Sequence, residues 1–346
     1  MIKEWNLLRA IACISIVLLH STTQIQNYAG HPDDFIYHFF RLTLTFATPT
    51  FIVLSVMILA NRYPDGLPDH FWEGRIKWIF LPYLSFAIID AVITKKFNET
   101  ALLDKEIIGN ILTGKFEGWF ILVILQFYVV HYLVVKYKIN MVWLLPVSIV
   151  IMTFYLSNIG RISSLSYIKG FEYMIKLPFI AWLGYFSAAY LLGKNYKMVA
   201  EKLLKYRWFT FLPVIFSLAI IYFSYESGIT SISSQRRDMF PLVLSMTAMV
   251  LAWGQVIPKS KIVDLISNYS FGIYLLHWQI QRFLSPYFAE NFSNSSTRML
   301  GLFLSSFLLS MMIIKLVSFL PFGSYIVGKV RRSKPHFVQK QSISAT

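Results

Sequence analysis

The sequence predicts an all-α polytopic membrane protein, with about ten transmembrane helices in one bundle. Three observations predict it. Apolar residues make up 56% of the chain and charged residues only 14%, where a soluble domain carries roughly 25%. The mean hydropathy is +0.56. Apolar stretches near the length of about 20 residues that a spanning helix needs recur from end to end, and no polar block between them is large enough to fold as a soluble domain.

Taken in order, the first expected span, 7–25, follows Lys3 and carries Arg9 and His20; no A-x-A-like site follows it, so it is expected to be retained rather than cleaved as a signal. The second, 36–60, is the longest, contains Arg41 and ends before Arg62. Span 76–93 is apolar except for Lys77 and Asp90, and 117–135 starts at Glu117. Span 141–157 is short, and 173–193 and 208–225 flank a Lys-rich segment. Span 238–257 follows Arg236 and Arg237, 267–284 holds His277 and Arg282, and 299–320 holds Lys315. The expected division is a membrane domain over 1–328 and a basic, disordered cytoplasmic tail over 329–346.

An even number of spans places both termini on one side. Of the 32 Lys and Arg, 18 fall in segments on the N-terminal side and 10 on the other, with Arg9, Arg41, Arg282 and Lys315 inside spans. The positive-inside rule then puts both termini in the cytoplasm of a multi-pass protein of the cell membrane. The net charge of +15 is read as this topology plus a site for anionic groups, with no nucleic-acid partner. The seven histidines are scattered, no H-x3-H pair lies on a span, and Cys13 is the one cysteine, so no metal site is expected.

The first span poses a chemical question. Arg9 and His20 are eleven residues apart, which at 100° per residue places them on one helix face about 16 Å apart along the axis. A cation at the bilayer centre costs about 2.5–3.5 kcal/mol or more. One reading is a polar interior path facing the bundle. The other is that Arg9 snorkels to the headgroups and His20 is a hydrated helix-end residue.

Several stretches in order resemble one family. R-x10-H in LLRAIACISIVLLH, PTFIVLSVMILAN (49–61), GRIKWIFLPY (74–83), GWFILVILQFYVV (118–130) and SNYSFGIYLLH (267–277) are similar to motifs of the acyltransferase-3 family of integral membrane acyltransferases. The closest form is the stand-alone bacterial type that modifies surface polysaccharides. Two departures are visible: Val56 stands where the family usually has glycine, and the basic loop holds only Arg75 and Lys77. The resemblance implies transfer of an acyl group, in the simplest case acetyl, from cytoplasmic acyl-CoA to a hydroxyl of a cell-surface glycan or lipid-linked sugar. Acyl-CoA would be a substrate, with no permanently bound cofactor.

Within that reading His20 is the catalytic base, since neutral imidazole suits removal of a hydroxyl proton. Arg9, Arg75 and Lys77 would bind the donor's phosphates. Arg41, Asp90 and His277 are possible supporting residues. Arg41 would hold an acceptor or an oxyanion; Asp90 would orient His20 or, the favoured alternative, lie at the outer interface; His277 would sit in or near the site. Glu117 is read as an exposed N-terminal carboxylate, His131 as interfacial, and Trp119 and Trp278 as interface or packing aromatics, with sugar stacking as the alternative. A transporter or flippase for a polysaccharide or lipid-linked sugar is the alternative function, and a scaffold without chemistry is a third.

Overall fold

The computed structural model describes residues 2–30, 32, 34–164 and 174–331, with backbone only over 161–164. The expected tail therefore lies outside the described residues from 332 onward. Its first residues, Lys329 to Arg331, run alongside a long helix that contains Asn268.

Every regular element among the described residues is helical. The elements are α1 (Lys3–Ala29), α2 (Phe35–Leu44), α3 (Ala47–Arg62), α4 (Phe71–Arg75), a π-helical turn (Ile76–Phe80), α5 (Leu81–Phe97), α6 (Leu103–Thr113), α7 (Trp119–Lys136) and α8 (Met141–Ser164). They continue with a 3-10 turn (Phe179–Trp182), α9 (Leu183–Lys194), α10 (Tyr196–Lys205), a second 3-10 turn (Arg207–Thr210), α11 (Phe211–Glu226), α12 (Met239–Gly254), α13 (Lys261–Asn291), α14 (Ser295–Ser318) and α15 (Gly323–Val327).

Seven helical segments among the described residues are long and apolar enough to cross a membrane: 3–29, 35–62, 71–97, 119–136, 141–160, 207–226 and 295–318. The other three expected spans take different forms. The one expected at 173–193 is a short 3-10 turn followed by the 12 residues of α9. α12 has only 16 residues. α13 has 31, about 46 Å of helix, but it carries Asp264, Ser267, Asn268, His277, Gln279, Gln281 and Arg282 along its length.

α1 is the central helix, packed against α3, α12, α13 and α14. Its buried side includes Ala10, Ala12, Cys13 and Ser15, small residues that let neighbouring backbones approach closely in a membrane. Polar side chains join the helices where lipid could not satisfy them. Gln281 of α13 donates to Val17 O of α1 (3.0 Å) and to Ser306 Oγ of α14 (3.2 Å). α3 is held against α9 at Gly193, where a Cβ would stand 2.2 Å from Met57 O. Close packing of α3 is thus provided by a glycine on the partner helix, with Val56 buried in place of the family's glycine.

The two ends of the bundle are distinct. At one end, Lys3 donates to Gln255 O and Ile257 O, Tyr196 donates to Glu4 (2.6 Å), and Gln255 donates to Ala200 O. The N-terminus, α10, the turn after α12 and residues 329–331 share this end. The opposite end holds α6, the start of α2 and the turn between α13 and α14.

Candidate active site

The site is built around α1 and α13, which pack along one another and bring His20 beside His277 and Trp278. The ring centroids of His20 lie 5.3 Å from His277 and 4.9 Å from Trp278. His20 Nε2 is 3.2 Å from Glu117 Oε2. His20 Nδ1 is buried with no hydrogen bond among the described residues. His277 donates from Nδ1 to Ile273 O (2.8 Å), and its Nε2 is likewise buried without a partner there. Two buried ring nitrogens without partners among the described residues thus belong to neighbouring imidazoles.

Glu117 reaches this place through a chain of local structure. α6 ends at Gly114, whose φ of +58° is the left-handed conformation that favours glycine at a helix C-terminus. A short turn then delivers Glu117 just before α7. α6 itself is pinned: Tyr83 donates to Asn110 O (2.6 Å), and Asn110 Nδ2 donates to Ala87 O and Asp90 Oδ2 (2.9 Å each). Asp90 also accepts from Gln279 Nε2 of α13 (2.5 Å) and pairs with Arg282 (3.6 Å). The expectation placing Asp90 at the outer interface is corrected: Asp90 is buried and clamps α5, α6 and α13, while the carboxylate on His20 is Glu117. The expectation of an exposed Glu117 is corrected with it, since its side chain is 24% exposed and set against the imidazole.

Two cavities approach from opposite ends. The near-end cavity, about 540 Å³, is lined by Arg9, Arg62, Lys329 and Arg331 at its mouth and by Phe51, Ile121, Phe120 and Tyr274 further in. Among the described residues no carboxylate lines it. Arg9 donates to Ser267 Oγ (3.1 Å), which donates to Asn6 Oδ1 (3.2 Å). Phe120 and Tyr274 pack ring to ring at 4.3 Å. They stand one turn of α7 and of α13 short of Glu117 and His277, and Tyr274 donates to Glu117 O (2.8 Å).

The far-end cavity, about 630 Å³, is lined by Asp90, Lys115, Glu117, Trp119, Lys176, Trp278 and Arg282. Glu117 and Trp278, both in contact with His20, belong to its wall. Trp119 and Trp278 are therefore cavity aromatics as well as packing residues.

The remaining expected residues fall on the rims. Arg75 lies over the rings of Phe71 (4.6 Å) and Tyr128 (5.0 Å) and lines a small cavity that shares Ser55, Ile58, Arg62 and Tyr128 with the near-end one. Lys77 is exposed, ion-paired with Glu73, and does not line the near-end cavity. Arg41 is buried at the far end, hydrogen bonded to Gln26 and to Thr23 (3.0 Å). His131 is fully buried and bonded to Tyr63 O (3.0 Å), not interfacial. Arg62, Lys329 and Arg331 carry no site role in the sequence, where Arg62 follows the second span and the other two lie in the basic tail. The signal available for Glu117 was its position immediately before the GWF motif.

Residues 2–315 match the family described as Acyltransferase domain. A protein of Bacillus subtilis named as a membrane-bound acyltransferase is 38% identical over 292 residues, covering 80% of each chain. Proteins of Staphylococcus aureus and Staphylococcus epidermidis named for poly-beta-1,6-N-acetyl-D-glucosamine export are 27% and 25% identical over 78% of this chain and 79% and 78% of theirs. No solved structure matches the chain. With a family match over nearly its whole length on a bundle of apolar helices, the chain belongs to the acyltransferase-3 family and is a membrane-bound acyltransferase.

Proposed function

We propose that the protein moves an acyl group, in the simplest case acetyl, from cytoplasmic acyl-CoA to a hydroxyl of a cell-surface carbohydrate. The observation that carries this reading is the His20–Glu117 pair, 3.2 Å apart, between a cationic cavity at one end and an aromatic, polar cavity at the other. The donor enters at the Arg9 end, phosphates at the mouth and pantetheine arm along the apolar wall toward Tyr274. The sugar enters from the far end, where Trp119 and Trp278 offer ring faces. The donor end, which holds the start of α1 and residues 329–331, is cytoplasmic.

In the reaction, Glu117 fixes the tautomer of His20 and stabilises the imidazolium that forms. His20 Nδ1 takes the proton of the sugar hydroxyl as its oxygen attacks the thioester carbonyl. The C–O bond forms, the C–S bond breaks, and the departing thiolate recovers the proton as free CoA thiol. Arg9 holds the donor, Arg75 contributes cationic charge at the rim while Lys77 is neutralised by Glu73 outside the cavity, Arg41 supports the far end, and His277 and Asp90 hold the geometry.

The test is acyl transfer by purified protein in a lipid bilayer. A positioned general base contributes about 10²–10⁴-fold, so His20→Ala should lose transfer by that factor while inserting normally. Transfer at the parental rate would sink the assignment. The relatives named for polysaccharide export favour a second reading, movement of a glycan across the membrane. In that case glycan export would persist in His20→Ala and would not require acyl-CoA.

A further inference from the structure

We infer that the C-terminal strap, Gly328 to Arg331, is part of the donor site: it presents Lys329 and Arg331 beside Arg9 to bind the 3′-phosphate and diphosphate of acyl-CoA. The inference rests on the acyl-CoA reading above and goes beyond it by assigning residues at the far end of the chain to the donor's nucleotide.

The strap is held in place by several separate contacts. It leaves α15 across α13, and the crossing is built for close approach. A Cβ on Gly272 of α13 would stand 3.1 Å from Val327 O, and one on Gly328 would stand 2.6 Å from the Phe271 ring. Gly328 also has φ +83°, which side chains with a Cβ rarely adopt. Beyond the crossing, Asn268 grips the backbone of Arg331 from both sides: Nδ2 donates to Arg331 O and Oδ1 accepts from Arg331 N, each at 3.0 Å. Upstream, Tyr325 stacks on Trp78 with centroids 5.4 Å apart and planes at 9°. Trp78 comes from the π-helical turn and carries Lys329 over its ring at 5.3 Å.

What these anchors hold together is positive charge. Arg9, Arg62, Lys329 and Arg331 all line the same cavity. Fixing like charges around one cavity is costly and becomes favourable when a multiply charged anion fills it. Phosphate groups carried on a molecule with a long apolar-compatible arm meet both halves of the cavity, the cationic mouth and the apolar interior. Trp78 and Phe271 at the mouth add ring surface beside the cations.

The experiment measures binding of CoA, 3′-dephospho-CoA and pantetheine to the full chain in nanodiscs of neutral lipid, for the parent, Lys329→Ala/Arg331→Ala and Asn268→Ala. Charge-assisted hydrogen bonds are strong enough that losing them costs about tenfold or more in affinity. The double variant should weaken CoA by at least about tenfold, weaken 3′-dephospho-CoA less, and leave pantetheine unchanged. In turnover, Asn268→Ala should raise KM for acyl-CoA with kcat preserved, which a general loss of stability would not do. Equal CoA binding by parent and double variant would overturn the assignment and leave the transferase reading standing. A parent that binds no CoA would overturn both. A loss that is the same for CoA and pantetheine would assign the strap a structural role only. Repeating the CoA titration in nanodiscs containing phosphatidylglycerol separates a nucleotide site from an anionic-lipid site. Competition by that lipid with no CoA binding in neutral nanodiscs would overturn the inference.

Discussion

At the scale of single residues, the site depends on one carboxylate that composition alone could not rank. In the proposed reaction Glu117 plays the part of an orienting acid for His20, fixing which nitrogen carries the proton and compensating the charge that develops. Glu117→Gln keeps a hydrogen bond but removes that compensation. It should lower kcat by about 10²-fold or more with KM for acyl-CoA little changed, as read by steady-state transfer kinetics. His277 makes its own bond to Ile273 O and does not touch Glu117 through a hydrogen bond among the described residues. His277→Ala should therefore be milder than His20→Ala, and an equal or larger loss would mean that His277 is the base.

At the scale of elements, short segments place the chemistry. α6 has 11 residues and spans nothing, yet its C-terminal glycine turns the chain so that Glu117 faces α1. Its anchor to α5 is Asn110, buried with Asp90, and Asp90 carries the link on to α13. Asn110→Ala would leave Asp90 short of a donor inside the bundle, a loss of about 1–3 kcal/mol. It should lower both the unfolding temperature in detergent and kcat. Asn110→Asp, which sets two carboxyls together, should be worse. The α3–α9 contact gives a separate test without chemistry. A Cβ at Gly193 would overlap Met57 O, so Gly193→Ala must push the helices apart, at about 1–3 kcal/mol. Thermal unfolding should shift down while KM for acyl-CoA in the surviving folded protein changes little.

At the scale of the whole molecule, the two ends of the bundle face different compartments. Residues 3, 200, 255–257 and 331 are tied into one end through hydrogen bonds and helix packing. Reporter fusions at the α9–α10 junction and after residue 331 should therefore report the same side, which the proposed function takes to be the cytoplasm. Split signals would contradict the packing; two external signals would reverse the donor side. The inner and outer helices also differ in what they can tolerate. The most hydrophobic 18-residue window of α1 is 67% buried and that of residues 35–62 is 83% buried, against 17% for α8 and 22% for the segment ending in α11. The latter two present most of their apolar surface outward, to lipid.

The sequence by itself determined the fold class, the membrane setting, most of the spanning segments and the shared face of Arg9 and His20. Each of these follows from local rules: a hydrocarbon layer demands runs of apolar residues, and a 3.6-residue period decides which side chains align. The motif order was also enough to point to the family. Tertiary structure alone decided which carboxylate meets His20. Asp90 and Glu117 are both acids near the ends of apolar runs, and only the Gly114 turn and the packing of α6 send one to the imidazole and the other to Arg282. It alone decided that α13, too polar to read as an ordinary span over its full 31 residues, lies against α1, where its polar groups find partners. And it alone brought Lys329 and Arg331 into the cavity that Arg9 lines, more than 300 residues earlier in the chain, because a chain that returns to the end of the bundle where it began leaves no periodic trace in the residues between.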